Sequence, residues 1–253
     1  MADCIRIEVA DGIADVRLNR PAKRNALNLD IFEGLAVAIA RLAQRQDIRA
    51  VVLSGEGDAF CAGIDMELLS NPAPLADLAA RTHGAANLFQ YAAWGWRMLP
   101  MPVIAAVHGV AFGGGLQVAL GADLRVARPD ARLSFMEGKW GLVPDMAGTL
   151  LLRDLVRDDV ARDLLFTARQ LTGEQGAALG LVNALHAEPR EEALAIARSI
   201  AVMNPEAVRA AKRLLNRKLA IEAEGQLVAE AREQQALLAG GAVQAAVAKA
   251  LAR

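Results

Sequence analysis

Two acidic side chains in the stretch FMEGKWGLVPDMAGT have the chemistry needed for proton transfer. Glu137 and Asp145 flank a loop that is rich in glycine and apolar residues. A carboxylate among Phe135, Met136 and Trp140 would lose part of its hydration, and burial raises a carboxyl pKa toward the range of an acid–base catalyst. Two simpler interpretations stay open: Glu137 as a solvated loop charge, and Asp145 as the N-cap of a helix beginning at MAGTLLLR.

A run of three glycines, Gly113–Gly115, precedes the apolar segment LQVAL, where a helix is expected to start. Glycine lets a backbone N–H approach a ligand without a side chain in the way, and a helix N-terminus carries the positive end of the helix dipole. In FCAGIDM, Gly63 and the capping residue Asp65 predict a second free amide, that of Ile64. The amides of Ile64 and Gly114 together can hold a developing oxyanion. Close helix packing and a plain strand-to-helix turn are the alternatives.

The sequence lacks the patterns of several other reactive sites. The glycine run is not GxGxxG and no Gly-Lys-Ser/Thr follows it, so neither a dinucleotide loop nor a P-loop is predicted. There is no GxSxG serine motif. His83, His108 and His186 have no metal-ligand spacing, and Cys4 and Cys61 form no CxxC pair. Cys61 is near the predicted anion site, but we interpret it as a small buried residue rather than a nucleophile.

The charge balance argues against nucleic acid and membrane partners. The chain has 253 residues, with 28 Lys and Arg against 29 Asp and Glu, and a formal net charge of −1. This balance provides no strongly basic surface for a phosphate-rich partner. The apolar run MPVIAAVHGVAF is too short to span a bilayer, and the first residues lack the apolar core of a signal peptide. With two cysteines and no disulfide framework, we expect a cytoplasmic protein.

Strands and helices are predicted to alternate in the first half of the chain. Residues 5–18 alternate apolar and polar side chains around Asp11-Gly12, which is typical of a β-hairpin. Asn28 is a suitable N-cap for an amphipathic helix. The runs RAVVLSG, MPVIAAVHG and ADLRVA are typical of strands, the second leading directly into the glycine run. Residues 71–84 contain two prolines and predict a loop or a mobile helix.

Helices dominate the prediction after Asp145. Thr172 and Gln175 have the spacing of a capping box, and Pro189 and Pro205 each occupy a position where a helix can start. The end of the chain is typical of two or three amphipathic helices. These patterns together predict one α/β domain with a helical C-terminal extension, which packs either against another subunit or as a layer within the chain.

Five segments resemble, in order and spacing, motifs of the enoyl-CoA hydratase/isomerase (crotonase) superfamily. The resemblance implies an α/β fold that is a spiral of ββα units, with a core at 1–195 and a helical trimerisation region at 196–253 in the same structural unit. It implies trimers or hexamers, and acyl-CoA substrates in which coenzyme A is part of the substrate. No separate cofactor, metal, nucleic acid or membrane partner is therefore expected. The segments are LNRPAKRNALN (18–28), GEGDAFCAGIDM (55–66), PVIAAVHGVAFGGGLQVALGADLRVA (102–127), FMEGKWGLVPDMAGT (135–149) and LTGEQGAALGLVNAL (171–185).

The same resemblance assigns binding roles by motif position. It implies that the amides of Ile64 and Gly114 hold the thioester oxygen as this oxygen becomes an enolate. The loop RPAKRNAL and the backbone before the second helix then follow the coenzyme A path, with Lys23 and Arg24 as phosphate contacts; a solvated surface pair is the alternative. The expected substrate-binding residues are Lys23, Arg24, Ala26, Ala62, Gly63 and Asp65.

Gln117 makes the reaction ambiguous. The family's hydratases resemble one another in carrying a glutamate at this position and a second one in the later loop, here Glu137. Glutamine can hydrogen-bond water but cannot accept its proton. Asp145 follows Glu137 by eight residues, as in the family's dienoyl-CoA isomerases, although that branch also has an acid at position 117.

Three functions follow from these residues. We favour double-bond isomerisation, with Glu137 as the main acid–base residue and Asp145 assisting. The alternative is hydration of 2-enoyl-CoA, with Glu137 activating the water and Gln117 orienting it. A non-catalytic homologue that binds coenzyme A or RNA is the third, and the neutral charge balance argues against RNA.

Overall fold

Nine β-strands and ten α-helices occur in the part of the chain that the structure, a computed structural model, describes: residues 4–71 and 73–251. The strands are β1 Ile5–Ala10, β2 Ile13–Leu18, β3 Ala50–Gly55, β4 Val103–Val107, β5 Val110–Phe112, β6 Leu124–Ala127, β7 Arg132–Ser134, β8 Leu171–Thr172 and β9 Ala184–Leu185. The helices are α1 Leu29–Ala43, α2 Met66–Ser70, α3 Leu88–Met98, α4 Gly114–Gly121, α5 Gly148–Leu152, α6 Asp158–Thr167, α7 Gly173–Leu179, α8 Pro189–Ala201, α9 Pro205–Ala239 and α10 Ala242–Leu251.

The larger sheet has six strands in the order β1-β2-β3-β4-β6-β9. β1 and β2 form the predicted antiparallel hairpin, and the remaining pairs are parallel. The hairpin turn suits its residues, because Asp11 and Gly12 both adopt positive φ angles, as a two-residue hairpin turn requires. β3 and β4 are buried on both faces, which explains why their sequences are almost entirely apolar rather than alternating.

A smaller sheet of β5, β7 and β8 lies beside the predicted anion site. The strand predicted in MPVIAAVHG is present as β4, but it does not lead directly into the glycines, since the chain leaves the larger sheet after Val107 and enters the smaller one at Val110. Gly109 makes this change of direction with φ of +59°, where a Cβ atom would lie 2.0 Å from the Asp58 carbonyl oxygen. The glycine run therefore follows a strand of the second sheet.

The ββα order predicted for the core is visible in β1-β2-α1 and β4-β5-α4. Asn28 caps α1 by accepting a hydrogen bond from the Ile31 amide at 3.1 Å, and Thr172 and Gln175 form the predicted capping box of α7. Helices begin at Pro189 and Pro205, as predicted. The segment 71–84 contains a short 3₁₀ helix, Ala73–Leu75, followed by turns in its described residues.

The C-terminal extension packs as a layer on the core through buried polar contacts. Lys212 of α9 donates to the Asp123 carboxylate at 2.6 Å and to the Met101 carbonyl at 2.9 Å. Gln90 of α3 donates to the Leu227 carbonyl of α9 at 2.7 Å. Among the described helices, none is both long enough and apolar enough to cross a bilayer.

The predicted division at 195/196 falls inside α8, whereas α9 begins at Pro205. The ends of the two predicted regions, residues 1–3 and 252–253, and also residue 72 lie outside the described residues.

Candidate active site

A cavity of about 530 Å³ opens between the loops after β2, β3 and β5 and the 3₁₀ helix Glu137–Trp140. Its inner wall is largely apolar, and most of the predicted site residues line it. These are Lys23, Ala26, Ala62, Gly63, Ile64, Asp65, Gly114 and Glu137. Arg24, Gln117 and Asp145 are not among the lining residues.

The Ile64 amide is left free by the way its neighbours pair. Gly63 accepts a hydrogen bond from the Leu27 amide at 2.8 Å, and Asp65 donates to the Leu27 carbonyl at 3.0 Å. Successive residues of an extended segment point their amides to opposite sides, so the Ile64 N–H faces away from Leu27. In the described ranges this N–H has no backbone or side-chain acceptor, and Ile64 lines the cavity. The amide is therefore available to a ligand.

The Gly114 amide also lacks an acceptor among the residues that the structure describes, for a different reason. Gly114 is the first residue of α4, so its N–H has no acceptor within the helix. The preceding Gly113 turns the chain with φ of +50° and donates its own N–H to Ser134 at 2.8 Å. A Cβ atom on Gly63 would lie 2.7 Å from the Phe112 carbonyl oxygen and 3.9 Å from the Gly114 nitrogen. The two amide-bearing turns are thus adjacent and can serve one oxygen atom.

Glu137 is the buried carboxylate of the cavity. It is 7% exposed and opens the 3₁₀ helix beside Trp140, where burial raises its pKa from 4.5 to about 7 despite a hydrogen bond from Gln117. Its Oε1 atom accepts from Gln117 Nε2 at 2.6 Å, while Oε2 is buried without a hydrogen-bond partner among the described residues. A carboxyl group with a pKa near neutrality can both take and return a proton.

Gln117 lies behind Glu137 rather than in the cavity wall. The side chain is 1% exposed on α4, and its Oε1 atom accepts the Met146 amide at 2.9 Å. Both ends of the amide are therefore engaged by protein groups, Glu137 on one side and Met146 on the other. The structure brings Gln117 to the predicted acid–base residue, in contact with its carboxylate.

Asp145 precedes α5 but does not cap it. The residue before the helix is Ala147, in a left-handed conformation with no side-chain cap. The Glu230 carboxylate of α9 instead accepts the amides of Ala147 at 2.9 Å and Thr149 at 3.1 Å. Burial, followed by the nearby charges of Glu230 and Glu137, raises the pKa of Asp145 well above its ordinary value.

Glu230 was not anticipated from the sequence, although a signal for it exists. Its pKa rises from 4.5 to about 7, chiefly because of burial. It shares one face of α9 with Ala223, Leu227 and Ala231, all of which are buried. A glutamate at helical spacing with buried small and apolar residues indicates a carboxylate that has an internal partner.

The predicted substrate-binding residues occupy the outer part of the site. Lys23 lines the cavity with Glu67, and their charged atoms are 3.8 Å apart. Arg24 contributes its carbonyl, which accepts the Ala62 amide at 2.9 Å. The Asp65 carboxylate pairs with Arg20 and caps α2 by accepting the Glu67 amide at 3.0 Å, so it fixes the turn that presents Ile64.

Cys61 has the surroundings of a structural residue rather than of a nucleophile. Cys61 is fully buried, its thiol donates to the Asn25 carbonyl at 3.1 Å, and burial raises its pKa to about 12. A thiol with this pKa is protonated at neutral pH and is a poor nucleophile. Within the described ranges, no three His, Cys, Asp or Glu side chains converge as a metal ion would require.

Known proteins resemble this chain over most of its length. A family model described as Enoyl-CoA hydratase/isomerase matches residues 8–249. A probable enoyl-CoA hydratase from Mycobacterium tuberculosis is 38% identical over 218 residues, which cover 86% of this chain and 84% of that protein. The mitochondrial enoyl-CoA hydratase domain-containing protein 2 from Homo sapiens is 36% identical and covers 81% of this chain and 71% of its own length.

Solved structures agree with the fold. The crystal structure of an enoyl-CoA hydratase/isomerase from Pseudoalteromonas atlantica has a TM-score of 0.88 at 28% identity, covering 98% of this chain and 97% of that one. This likeness confirms the predicted α/β fold with its helical C-terminal region.

Proposed function

Because the chain belongs to the enoyl-CoA hydratase/isomerase family, we propose that it moves the double bond of a 3-enoyl-CoA thioester to the 2-enoyl position. The membership confirms the resemblance predicted from the five motifs, and it makes the chain an enzyme of hydratase/isomerase type that acts on acyl-CoA. The choice of isomerisation within this family is our proposal.

One observation carries the proposal: Glu137, a buried carboxylate whose Oε2 atom has no hydrogen-bond partner among the described residues, lines the same cavity as Ile64 and Gly114, whose amides have no acceptor there. Isomerisation through an enolate needs one group that removes a proton and returns it, and donors that stabilise the negative oxygen. Asp65 and Glu67 also line the cavity, but Asp65 is paired with Arg20 and Glu67 is largely exposed. Glu137 is the cavity carboxylate that suits the chemistry.

The reaction then has two proton transfers. Glu137 Oε2 takes a proton from C2 of the 3-enoyl-CoA, and the electrons of the broken C–H bond delocalise onto the thioester oxygen. The amides of Ile64 and Gly114 donate hydrogen bonds to this oxygen and stabilise its charge. Glu137 returns the proton to C4 as the double bond forms between C2 and C3, so substrate and product have the same atoms.

We assign the substrate contact to Glu137 alone. Asp145 is not a lining residue, and its raised pKa favours the protonated form. It assists by keeping a neutral group, rather than a second charge, near Glu137.

Hydration of 2-enoyl-CoA is the second candidate, because the relatives from Mycobacterium tuberculosis and Homo sapiens carry hydratase names. In this reaction Glu137 would activate a water molecule on its own. The role that the sequence predicts for Gln117 in this reaction, orienting the water, has less support because both ends of its amide have protein partners.

The two reactions separate in one substrate panel. Purified protein is given 2-enoyl-, 3-enoyl- and 3,5-dienoyl-CoA, with absorbance reporting the conjugated thioester and mass reporting the addition of water. We expect conversion of the 3-enoyl substrate without a change in mass. Water addition to the 2-enoyl substrate alone would replace isomerisation by hydration. Binding of coenzyme A or RNA without any turnover would favour a non-catalytic homologue.

We also propose that three copies associate through the C-terminal region. Three large apolar side chains of α9 are 72–80% exposed in a single chain: Leu214, Leu215 and Ile221. Exposed apolar side chains on one helix suit a subunit contact. Light scattering of the intact chain should give three or six times the mass of one chain, and a monomeric mass would contradict the proposal.

A further inference from the structure

The orientation of the Gln117 side chain is fixed by a neighbour that can act in only one way. The Met146 backbone amide is a donor, so the atom of Gln117 that faces it at 2.9 Å must be the carbonyl oxygen. The NH₂ group is then directed at Glu137 Oε1, 2.6 Å away. Because Gln117 is 1% exposed, water does not compete for either contact.

This fixed donor makes the two oxygens of Glu137 unequal. Oε1 must act as an acceptor, whether or not the carboxyl group is protonated, because a hydrogen already points at it. Any proton on Glu137 therefore sits on Oε2, which is the buried atom without a partner. The acid–base reaction is confined to one atom.

We propose that Gln117 is a positioning residue that restricts Glu137 to a single reactive oxygen, Oε2. The inference rests on the proposed isomerisation, since that reaction needs the same atom to remove a proton from C2 and deliver it to C4. A carboxylate free to rotate would exchange its oxygens and lose the alignment that efficient transfer requires.

The surrounding backbone is shaped around this pair. A Cβ atom at Gly148 would lie 2.3 Å from Gln117 Oε1, and one at Gly113 would lie 3.3 Å from Glu137 Oε1. Both positions are glycine, and the Gln117 side-chain amide and the Glu137 carboxylate approach the backbone there. Gln117 and Glu137 thus occupy space that glycine provides on two sides.

The other charged groups around Glu137 belong to residues that the Gln117 variants leave unchanged. Asp145 lies before α5, and Glu230 acts on it from α9. Lys139 and Lys249 line a depression with Met136 on the outer side of the 3₁₀ helix. Lys23, Asp65 and Glu67 line the same cavity as Glu137.

The test replaces Gln117 by methionine, which has a similar length but no N–H donor. A donated hydrogen bond favours the carboxylate, so its loss should raise the pKa of Glu137 by about one unit. The acid limb of kcat/KM should move to higher pH by the same amount, and kcat should fall about 10- to 100-fold through lost alignment. KM should change little, because Gln117 does not line the cavity.

Gln117→Glu provides a second variant with nearly the same shape. Its protonated carboxyl can donate to Glu137, so the acid limb should return close to that of the wild type. Two carboxyl groups in contact share one proton, and losing that proton at higher pH creates like-charge repulsion. We therefore expect this variant to lose activity on the alkaline side, where the wild type does not.

The pKa of Glu137 is measured without substrate, by NMR of protein with ¹³C-labelled glutamate side chains, using Glu137→Gln to assign the signal. Gln90→Met is the matched control, because Gln90 is also fully buried and hydrogen-bonded but contacts α9 instead of Glu137. An unchanged Glu137 pKa in folded Gln117→Met would overturn the inference. If that variant does not fold, a Gln117→Glu enzyme without the alkaline loss overturns it. A shifted pKa in a protein that isomerises no substrate would contradict the proposed function alone.

Discussion

The two walls of the cavity are built by different means. The amide wall, which presents Ile64 and Gly114, is held by backbone hydrogen bonds between short neighbouring segments. The carboxylate wall is held by side chains of α4, the 3₁₀ helix and α9: Gln117 donates to Glu137 and accepts the Met146 amide, and Glu230 accepts the Ala147 amide. The first wall depends on the absence of side chains, and the second depends on which side chains are present.

This difference predicts two kinds of sensitivity. Backbone amides do not titrate, so the amide wall should respond to added bulk and not to pH. The carboxylate wall contains Glu137, and Asp145 and Glu230 lie outside the cavity lining; all three acids have raised pKa values, so this side of the site should respond to pH as well as to substitution.

The largest effect is expected for Glu137→Gln. The amide group cannot take the C2 proton, so kcat for the 3-enoyl substrate should fall about 10²–10⁴-fold. KM should stay within a few-fold, because the amide wall is intact. Glu67→Gln is the matched control, since Glu67 lines the same cavity but is exposed. Full activity of Glu137→Gln on every substrate that the wild type converts would remove Glu137 from its role.

The next effect tests the amide wall. In Gly63→Ala the new methyl group would meet the Phe112 carbonyl at 2.7 Å, at a residue whose φ is +97°. The turn must move, and losing one oxyanion donor costs about 10²–10³-fold in kcat. The acid limb of the pH profile should stay where it is.

Gly114→Ala should cost less than Gly63→Ala. The closest atom to the added methyl group is the Met146 sulfur at 2.8 Å, which belongs to a flexible side chain. Steady-state kinetics of both variants decide the point, and an equal or larger loss in Gly114→Ala would contradict the predicted backbone constraint at Gly63.

A smaller effect is expected in the pH dependence of stability. Glu137 and Glu230 have pKa values of about 7 in the folded protein, raised from 4.5. The folded state therefore binds these protons more tightly than the unfolded state, which adds to the free energy of unfolding. This contribution is fully present below pH 4.5 and is lost as the pH rises through 7. Replacing either residue by glutamine should reduce this loss by about 1–3 kcal/mol.

Urea unfolding at pH 5 and pH 8 measures this change. The wild type and each glutamine variant are compared at both values, with Glu67→Gln as the control for an exposed acid. An identical pH dependence in the wild type and the Glu230→Gln variant would mean that Glu230 titrates normally in the folded protein.

The smallest effect separates two neighbouring cations. Lys23 lines the cavity and Arg24 does not, so Lys23→Ala should raise KM about three- to tenfold, more at low salt, with kcat nearly unchanged. Arg24→Ala should have a smaller effect. An equal or larger KM change for Arg24 would contradict this difference and support Arg24 as a phosphate contact.

The amide wall could be predicted from the sequence to a large extent. Gly63, Gly113 and Gly114 are visible as glycines before helices, because a position that excludes a side chain leaves a mark in the sequence. The passage of the chain from the larger to the smaller sheet at Gly109 could not be predicted from the sequence, because it depends on the Asp58 carbonyl, which is distant along the chain.

The carboxylate wall was harder to predict. Apolar neighbours in the sequence identify Glu137 and Asp145, but the groups that surround these acids come from other elements. Gln117 bonds to Met146, 29 residues away, and Glu230 bonds to Ala147 across 83 residues. A glutamine or a glutamate in a helix gives no sign of which distant amide it will accept, so the sequence predicted the acids but not the network that holds them.

The transfer of deuterium within one substrate molecule tests most directly the claim that one oxygen of Glu137 carries the proton. The wild-type enzyme converts 3-enoyl-CoA that is fully deuterated at C2, in ordinary water, and NMR locates the label in the 2-enoyl product. A single buried carboxyl oxygen should deliver most of the deuterium removed from C2 to C4. A product whose C4 position carries only hydrogen from the solvent would contradict the account.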